Sequence, residues 1–119
     1  QFLGIPYAQP PIGKLRFHRP VPAEPWKHPL QAVEWPNNCI QTLVSPEVTA
    51  WYFNKNFTED CLYLNIWSPD VNVDEENLRP VLVWIHGGGF LTGSNSLVLY
   101  DGKTLSSMAD AVIVTINYR

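Results

Sequence analysis

From Leu62 to Trp67 the residues divide with a period of two, Leu62, Leu64 and Ile66 on one side and Tyr63, Asn65 and Trp67 on the other, which predicts a strand. Val81-Leu82-Val83-Trp84-Ile85 and Val112 to Asn117 are instead short continuous apolar runs. Such runs predict strands buried on both faces of a sheet. Between them, Asp101 to Met108 suits a short helix capped by Asp101 or Thr104. Two buried strands joined by a helical crossover predict the start of an α/β sheet. The first third reads differently. Pro6, Pro10, Pro11, Pro20, Pro22, Pro25, Pro29 and Pro36 leave no room for a helix of normal length, so residues 1–38 are expected to wrap irregularly, with short strands at best. Residues 39–61 turn polar, with turn signals at Ser45-Pro46 and Asn54-Lys55-Asn56, and the acidic stretch Ser68 to Arg79 reads as a surface connection.

Composition narrows the class. At 119 residues the chain is one domain's worth at most, and its 45% hydrophobic content is enough for a core. Only 16% of residues are charged, which argues against disorder and against a charged coiled coil. The net charge is −3 and the basic residues are scattered singly, so no stripe exists to track a nucleic-acid backbone. No apolar run approaches the roughly 18 residues of a membrane span. The opening Gln1-Phe2-Leu3-Gly4 lacks the charged start of a signal peptide, and the closing run reads as a strand cut short. The expectation is a piece of a larger protein.

Gly87-Gly88-Gly89 follows the apolar run Val81 to Ile85 through His86. Three glycines there cost backbone entropy and contribute no packing, so they need a physical reason. One reason is backbone N–H groups aimed at a ligand from a conformation other residues cannot adopt. Neutral donors aimed at a developing oxyanion serve acyl transfer, where one donor is worth about 2.7–4 kcal/mol in the transition state. The other reading is a tight turn with free glycines. A phosphate cradle is excluded, because neither G-x-x-x-x-G-K-[ST] nor G-x-G-x-x-G spacing is present. His86 reads as a strand-end packing or loop-ordering residue rather than a catalytic base.

Several motifs in fixed order give the chain a resemblance to the type-B carboxylesterase and cholinesterase family over essentially its whole length. They are Phe2-Leu3-Gly4-Ile5-Pro6-Tyr7-Ala8, Pro10-Pro11-Ile12-Gly13 with Leu15-Arg16-Phe17, and Glu59-Asp60-Cys61-Leu62-Tyr63-Leu64-Asn65-Ile66. Trp84-Ile85-His86-Gly87-Gly88-Gly89-Phe90, Tyr100-Asp101-Gly102 and Asn117-Tyr118-Arg119 follow. The resemblance implies an α/β-hydrolase fold, of which residues 1–119 would be the N-terminal part of one domain with an incomplete mixed sheet. It also implies that Gly88 and Gly89 are oxyanion-hole donors. The third donor follows the family's nucleophilic serine, and none of the six serines here sits in G-x-S-x-G; Gly93-Ser94-Asn95-Ser96 lacks the spacing. The acid and histidine of the triad also lie downstream in the family, so His18 and His28 inherit no role and read as surface residues. No metal or cofactor is implied.

Cys39 and Cys61 are the only cysteines, and Asn56-Phe57-Thr58 is an N-glycosylation sequon. By composition alone, a bridge in an oxidising compartment and two buried thiols both stand. The resemblance pairs them as the family's first disulfide, and a bridge over about 22 residues would restrain the unfolded chain by roughly 3 kcal/mol. Trp51 matches the cholinesterase tryptophan on whose face a choline cation rests, a contact worth about 0.5–2 kcal/mol. Two departures weigh against choline. The aspartate expected after the first cysteine is missing from Cys39-Ile40-Gln41-Thr42-Leu43-Val44, and the tyrosine expected after the glycine loop is Leu91. Trp51 packing the loop down is the equal alternative. Arg16 and Glu59 match a buried ion pair, against a solvated pair of little worth.

These readings converge on the N-terminal segment of a secreted or ER-lumenal serine hydrolase of small carboxylic esters, inactive by itself. Its oligomeric state is open. A catalytically inactive, neuroligin-like adhesion member and a cholinesterase proper are the alternatives; the intact Gly87-Gly88-Gly89-Phe90 favours an enzyme.

Overall fold

The computed structural model describes residues 1–42, 45–72 and 78–119. Its strands are β1 (Phe2–Pro6), β2 (Asn38–Cys39), β3 (Phe57–Thr58), β4 (Tyr63–Trp67), β5 (Val81–Ile85) and β6 (Val112–Ile116). Two α-helical segments accompany them, α1 (Pro46–Thr49) and α2 (Lys103–Ala109). Four strands make one mixed sheet in the order β1-β4-β6-β5. β4 runs antiparallel to both β1 and β6, whereas β5 and β6 are parallel, with Trp84 opposite Thr115 and Ile85 opposite Ile116. A parallel pair cannot be closed by a hairpin, and α2 is the crossover, packed on β6. The result is a small mixed sheet with few helices, compatible with part of an α/β fold.

The expected helix begins later than its sequence signals, at Lys103 behind Gly102. Neither expected cap holds that position: Gly102 is the N-cap and has no side-chain cap bond, Asp101 lies one residue before it with its Oδ1 accepting the Lys103 N–H at 2.9 Å, and Thr104 lies inside the helix. Asp110 ends it in the left-handed conformation (φ 45°) and accepts from Arg79 Nε at 2.7 Å. In the proline-rich first third, Phe2 to Pro6 form a full strand because β4 supplies its partner 60 residues on. The segment Leu43-Val44 and the middle of the Ser68–Arg79 connection lie outside the described residues.

One face of the sheet is covered. Trp67 and Ile113, opposite each other on β4 and β6, are buried with Leu3 and Ala111, and Trp35 packs against them. A second cluster joins Ala8, Cys39, Cys61 and Leu62, with Tyr7 alongside. The disulfide Cys39–Cys61 is formed, its Cα atoms 5.0 Å apart, and β2 and β3 pair in parallel within the loop it closes.

Val81 to Ile85 were expected to be buried on both faces and are not: these five residues are 48–61% exposed. Among the described residues β5 is an edge strand whose one strand neighbour is β6, and α2 leans on β6, so that β5 stays largely uncovered apart from Tyr100 beside Trp84. The apolar pairs Leu64–Ile116 and Ile66–Val114 on the opposite face of the sheet are likewise only half-buried.

Candidate functional site

The glycine loop leaves the carboxyl end of β5. Gly88 and Gly89 hold φ of +127° and +61°, and Phe90 shares the left-handed region at φ +61°. A Cβ on Gly88 would lie 1.9 Å from the Thr92 carbonyl oxygen, so only glycine fits. The Gly88 carbonyl turns inward and accepts the N–H groups of Leu91 (3.0 Å) and Thr92 (3.1 Å), closing the loop on itself. The amides of Gly88 and Gly89 have no hydrogen-bond partner among the described residues, and both glycines are exposed. Two adjacent, unpaired N–H groups on a self-braced turn can receive an anion or a carbonyl oxygen gaining charge.

His86 braces the loop from behind. Its ring is buried, stacks on Tyr118 (centroids 4.5 Å, planes 17° apart) and donates from Nδ1 to the Gly87 carbonyl at 2.9 Å. Tyr118 also donates its hydroxyl to the His86 carbonyl at 2.8 Å. Burial lowers the imidazole pKa below its ordinary value, opposed in part by the Gly87 carbonyl. A neutral ring held by a backbone carbonyl and a tyrosine orders the loop, as its sequence position suggests. A cleft of about 120 Å³ opens beside it, lined among others by Gln41, Phe90, Leu91 and Tyr118.

Under the loop lies a buried polar layer that sequence reasoning missed. Asn38, Asn65, Ser94, Asn95, Ser96, Thr115 and Asn117 are each at most 1% exposed. Asn117 Oδ1 accepts the Asn95 N–H at 2.8 Å and the Ser94 hydroxyl at 3.3 Å, while its Nδ2 donates to the Asn37 carbonyl at 3.0 Å. Asn65 Nδ2 donates to Thr115 Oγ1 at 3.2 Å, and Asn65 Oδ1 accepts the Gly4 N–H at 3.0 Å. Ser96 donates to Asn38 Oδ1 at 2.5 Å, tying the loop's exit to β2. The signal was present: Ser94-Asn95-Ser96 is a polar run close to two strands, and Asn65 and Asn117 interrupt apolar ones.

A second tie is Gln41, in the disulfide loop. Its Oε1 accepts the Gly93 N–H at 2.8 Å and its Nε2 donates to the Gly93 carbonyl at 2.9 Å and to the Cys39 carbonyl at 3.0 Å. Gly93 (φ +118°) is itself confined, since a Cβ there would lie 2.4 Å from His86 Nδ1.

Within residues 1–119 Trp51 is 55% exposed and does little to pack the loop down. Its neighbours take that role, Phe53 stacking on Trp35 at 4.2 Å and buried Tyr52 meeting Phe57 edge-on at 6.0 Å. The backbone around Trp51 is laced to the segment beyond the glycine loop, Phe53 N–H to Ser96 O (2.8 Å) and Val98 N–H to Trp51 O (2.9 Å). Arg16 Nε meets Glu59 Oε1 at 2.6 Å, and within residues 1–119 the side chains are 51% and 35% exposed, where such a pair has small net worth. Asn56 is exposed, its backbone carbonyl accepting from Asn38 and its N–H bonded to Asn54 Oδ1. His18 and His28 lie at the surface, away from the loop's contacts. Among the described residues no three His, Cys, Asp or Glu side chains stand close enough to share a metal, and no helix is long and apolar enough to cross a membrane.

A small mixed sheet with a glycine loop at the end of a parallel strand is compatible with part of an α/β fold. The sequence model of the carboxylesterase family matches residues 1–119, and the chain belongs to that family. It is 50% identical to acetylcholinesterase-1 of Trittame loki, 46% to cholinesterase of Mus musculus and 44% to carboxylesterase 1D of Rattus norvegicus. Each match covers 99% of this chain but only 20–22% of the relative, so the chain spans about a fifth of the length of these proteins.

Proposed function

We propose that the full-length protein is a serine carboxylic-ester hydrolase of α/β-hydrolase fold, and that Gly88 and Gly89 supply two of its oxyanion donors. The observation that carries this reading is the pair of unpaired amides at Gly88 and Gly89, in conformations only glycine adopts freely. A serine hydroxyl from outside residues 1–119 attacks the ester carbonyl, its proton passing to a histidine also outside them. The carbonyl oxygen takes the negative charge and receives the two N–H groups. Collapse of the tetrahedral intermediate expels the alcohol, and water releases the acid from the acyl-enzyme. His86, Tyr118 and the polar layer hold the turn so that the donors need not reorganise as charge develops.

The disulfide and the exposed sequon at Asn56 support an oxidising, secretory location with a glycan at Asn56. The test is to express the full-length protein, count sites with a fluorophosphonate and follow hydrolysis of a p-nitrophenyl ester. One label per chain with matching turnover is expected. A folded protein that neither labels nor turns over overturns the enzyme reading in favour of an inactive adhesion member.

A cholinesterase is the alternative within this reading, resting on the match of Trp51, whose loop Tyr52 and Phe53 anchor. An exposed indole face can receive a quaternary ammonium. Trp51→Ala should then raise KM for a choline ester about 3- to 30-fold while leaving a neutral isosteric ester unchanged, in keeping with about 0.5–2 kcal/mol for such a contact. Equal effects on both esters would rule out a cation platform.

A further inference from the structure

We propose that Gln41 is a positioning residue for the oxyanion donors, acting through Gly93 and not by touching substrate. This rests on the ester-hydrolase reading and assigns a role within that same site. A single carboxamide engages both the N–H and the C=O of Gly93, at 2.8 and 2.9 Å, as a neighbouring strand would. Its second amide hydrogen goes to the Cys39 carbonyl at 3.0 Å, which fixes the side chain against the disulfide-bonded residue itself. Gly93 is where such a clamp matters. It sits against the His86 ring and the Gly87 carbonyl, so closely that a Cβ would come within 2.4 and 2.5 Å of them.

The path from clamp to donors is short and covalently tight. His86, Gly87 and Gly93 form the base of the loop, and the inward Gly88 carbonyl, held by Leu91 and Thr92, forms its waist. The amides of Gly88 and Gly89 have no partners of their own among the described residues, so their placement derives from that base. The flank of the loop facing the disulfide is secured by Gln41, the other by Tyr118 and Asn117. Without the carboxamide, Gly93 loses both backbone partners on an exposed loop. A displacement of about 1 Å in a catalytic group can cost 10²-fold.

The experiment uses Gln41→Met in the full-length protein, which keeps length and bulk and removes all three hydrogen bonds. We expect kcat for a p-nitrophenyl ester to fall about 10- to 100-fold with KM within about 2-fold. Affinity for a trifluoromethyl ketone, whose hydrate or hemiketal oxygen occupies the oxyanion position, should fall by a similar factor. Affinity for a ground-state competitive inhibitor should not. Amide exchange read by mass spectrometry should accelerate in the peptide covering residues 86–93 and stay unchanged across residues 112–117. Should Gln41→Met fail to fold, Gln41→Glu, which keeps the acceptor for the Gly93 N–H and loses the donor, takes its place in the same assays. Unchanged kcat, ketone affinity and exchange in a folded variant overturn the positioning role. An inactive wild type would instead overturn the hydrolase reading, and the catalytic role with it. Exchange at residues 86–93 then still decides whether the clamp orders the loop.

Discussion

Replacing Asn117 with alanine in the full-length protein would remove three hydrogen bonds from a side chain that is 1% exposed. The three losses are unequal. The Ser94 hydroxyl sits 3.3 Å from Asn117 and keeps a second partner in Ser96 Oγ at 3.1 Å, so its loss costs little. The Asn95 N–H (2.8 Å) and the Asn37 carbonyl (3.0 Å) have no other partner among the described residues. The Asn95 N–H is buried and costs about 1–3 kcal/mol when left unsatisfied, whereas the half-buried Asn37 carbonyl can turn to water, which places the substitution at roughly 1–3 kcal/mol. A water entering the vacated space would find the Asn95 N–H, the Ser94 hydroxyl and the Asn37 carbonyl, and would pull the cost toward the lower end. Urea denaturation of wild type and variant is the assay, read as a midpoint shift at unchanged slope. Ser94→Ala is the internal comparison, expected near 1 kcal/mol. A loss below about 1 kcal/mol for Asn117→Ala at unchanged slope would refute the claim that this layer holds the loop's exit to the sheet.

Gly88→Pro in the full-length protein deletes one donor and should lower kcat for a p-nitrophenyl ester by at least about 10²–10³; full turnover in a folded variant would show that this amide contacts no oxyanion. Residues 1–119 expressed alone and oxidised should hydrolyse no ester and sediment as aggregate, because β5 and the bare face of the sheet leave their apolar side chains in water. A cooperative monomeric melt would contradict this. His86 has a folded-state pKa below its ordinary value, so its contribution to stability is present above about pH 6.5 and is lost as pH falls and the unfolded chain alone takes up the proton. The urea midpoint should therefore drop between pH 7 and 5 by more in wild type than in His86→Gln, and parallel curves would sink the assignment.

The strand at Tyr63–Trp67, the two apolar strands and the crossover helix were legible in the sequence because each bears a local pattern: period two, an unbroken apolar run, an aspartate and a glycine just ahead of the first turn. Burial was not legible in the same way. The run Val81 to Ile85 reads as a doubly buried strand, but among the described residues β6 is its one strand neighbour and its side chains stand exposed. On β4 the side holding Asn65 and Trp67 is the covered one, because Thr115 and Asn95 offer Asn65 partners that no apolar pattern reveals. The glycine loop was found from its composition. Its supports were not, since Gln41 meets Gly93 across a separation of 52 residues and Asn117 meets Asn95 across 22. Arg16 and Glu59 did find each other, but burial depends on what covers them, and within residues 1–119 the pair stays partly exposed.

The polar layer also dictates an order of events at the ribosome. The bond from Tyr7 to Asn117 spans 110 positions, that from Asn117 to Asn37 spans 80, and that from Ser96 to Asn38 spans 58. At about 5–20 residues per second of synthesis, Asn38 emerges several seconds before Asn117 can reach its neighbourhood. In that interval β1 has a single future partner and the glycine loop has no floor. The disulfide is different: its cysteines lie 22 positions apart, so they can join while the rest of the sheet is still being made. Oxidation would thus present Gln41 already in place, and β6, the latest of these six strands to emerge, would close the loop from the other side. A delay of synthesis placed after residue 93 and before residue 117 should prolong exposure of an oxidised, unfloored loop, the stage at which this chain offers the most to a chaperone or a protease.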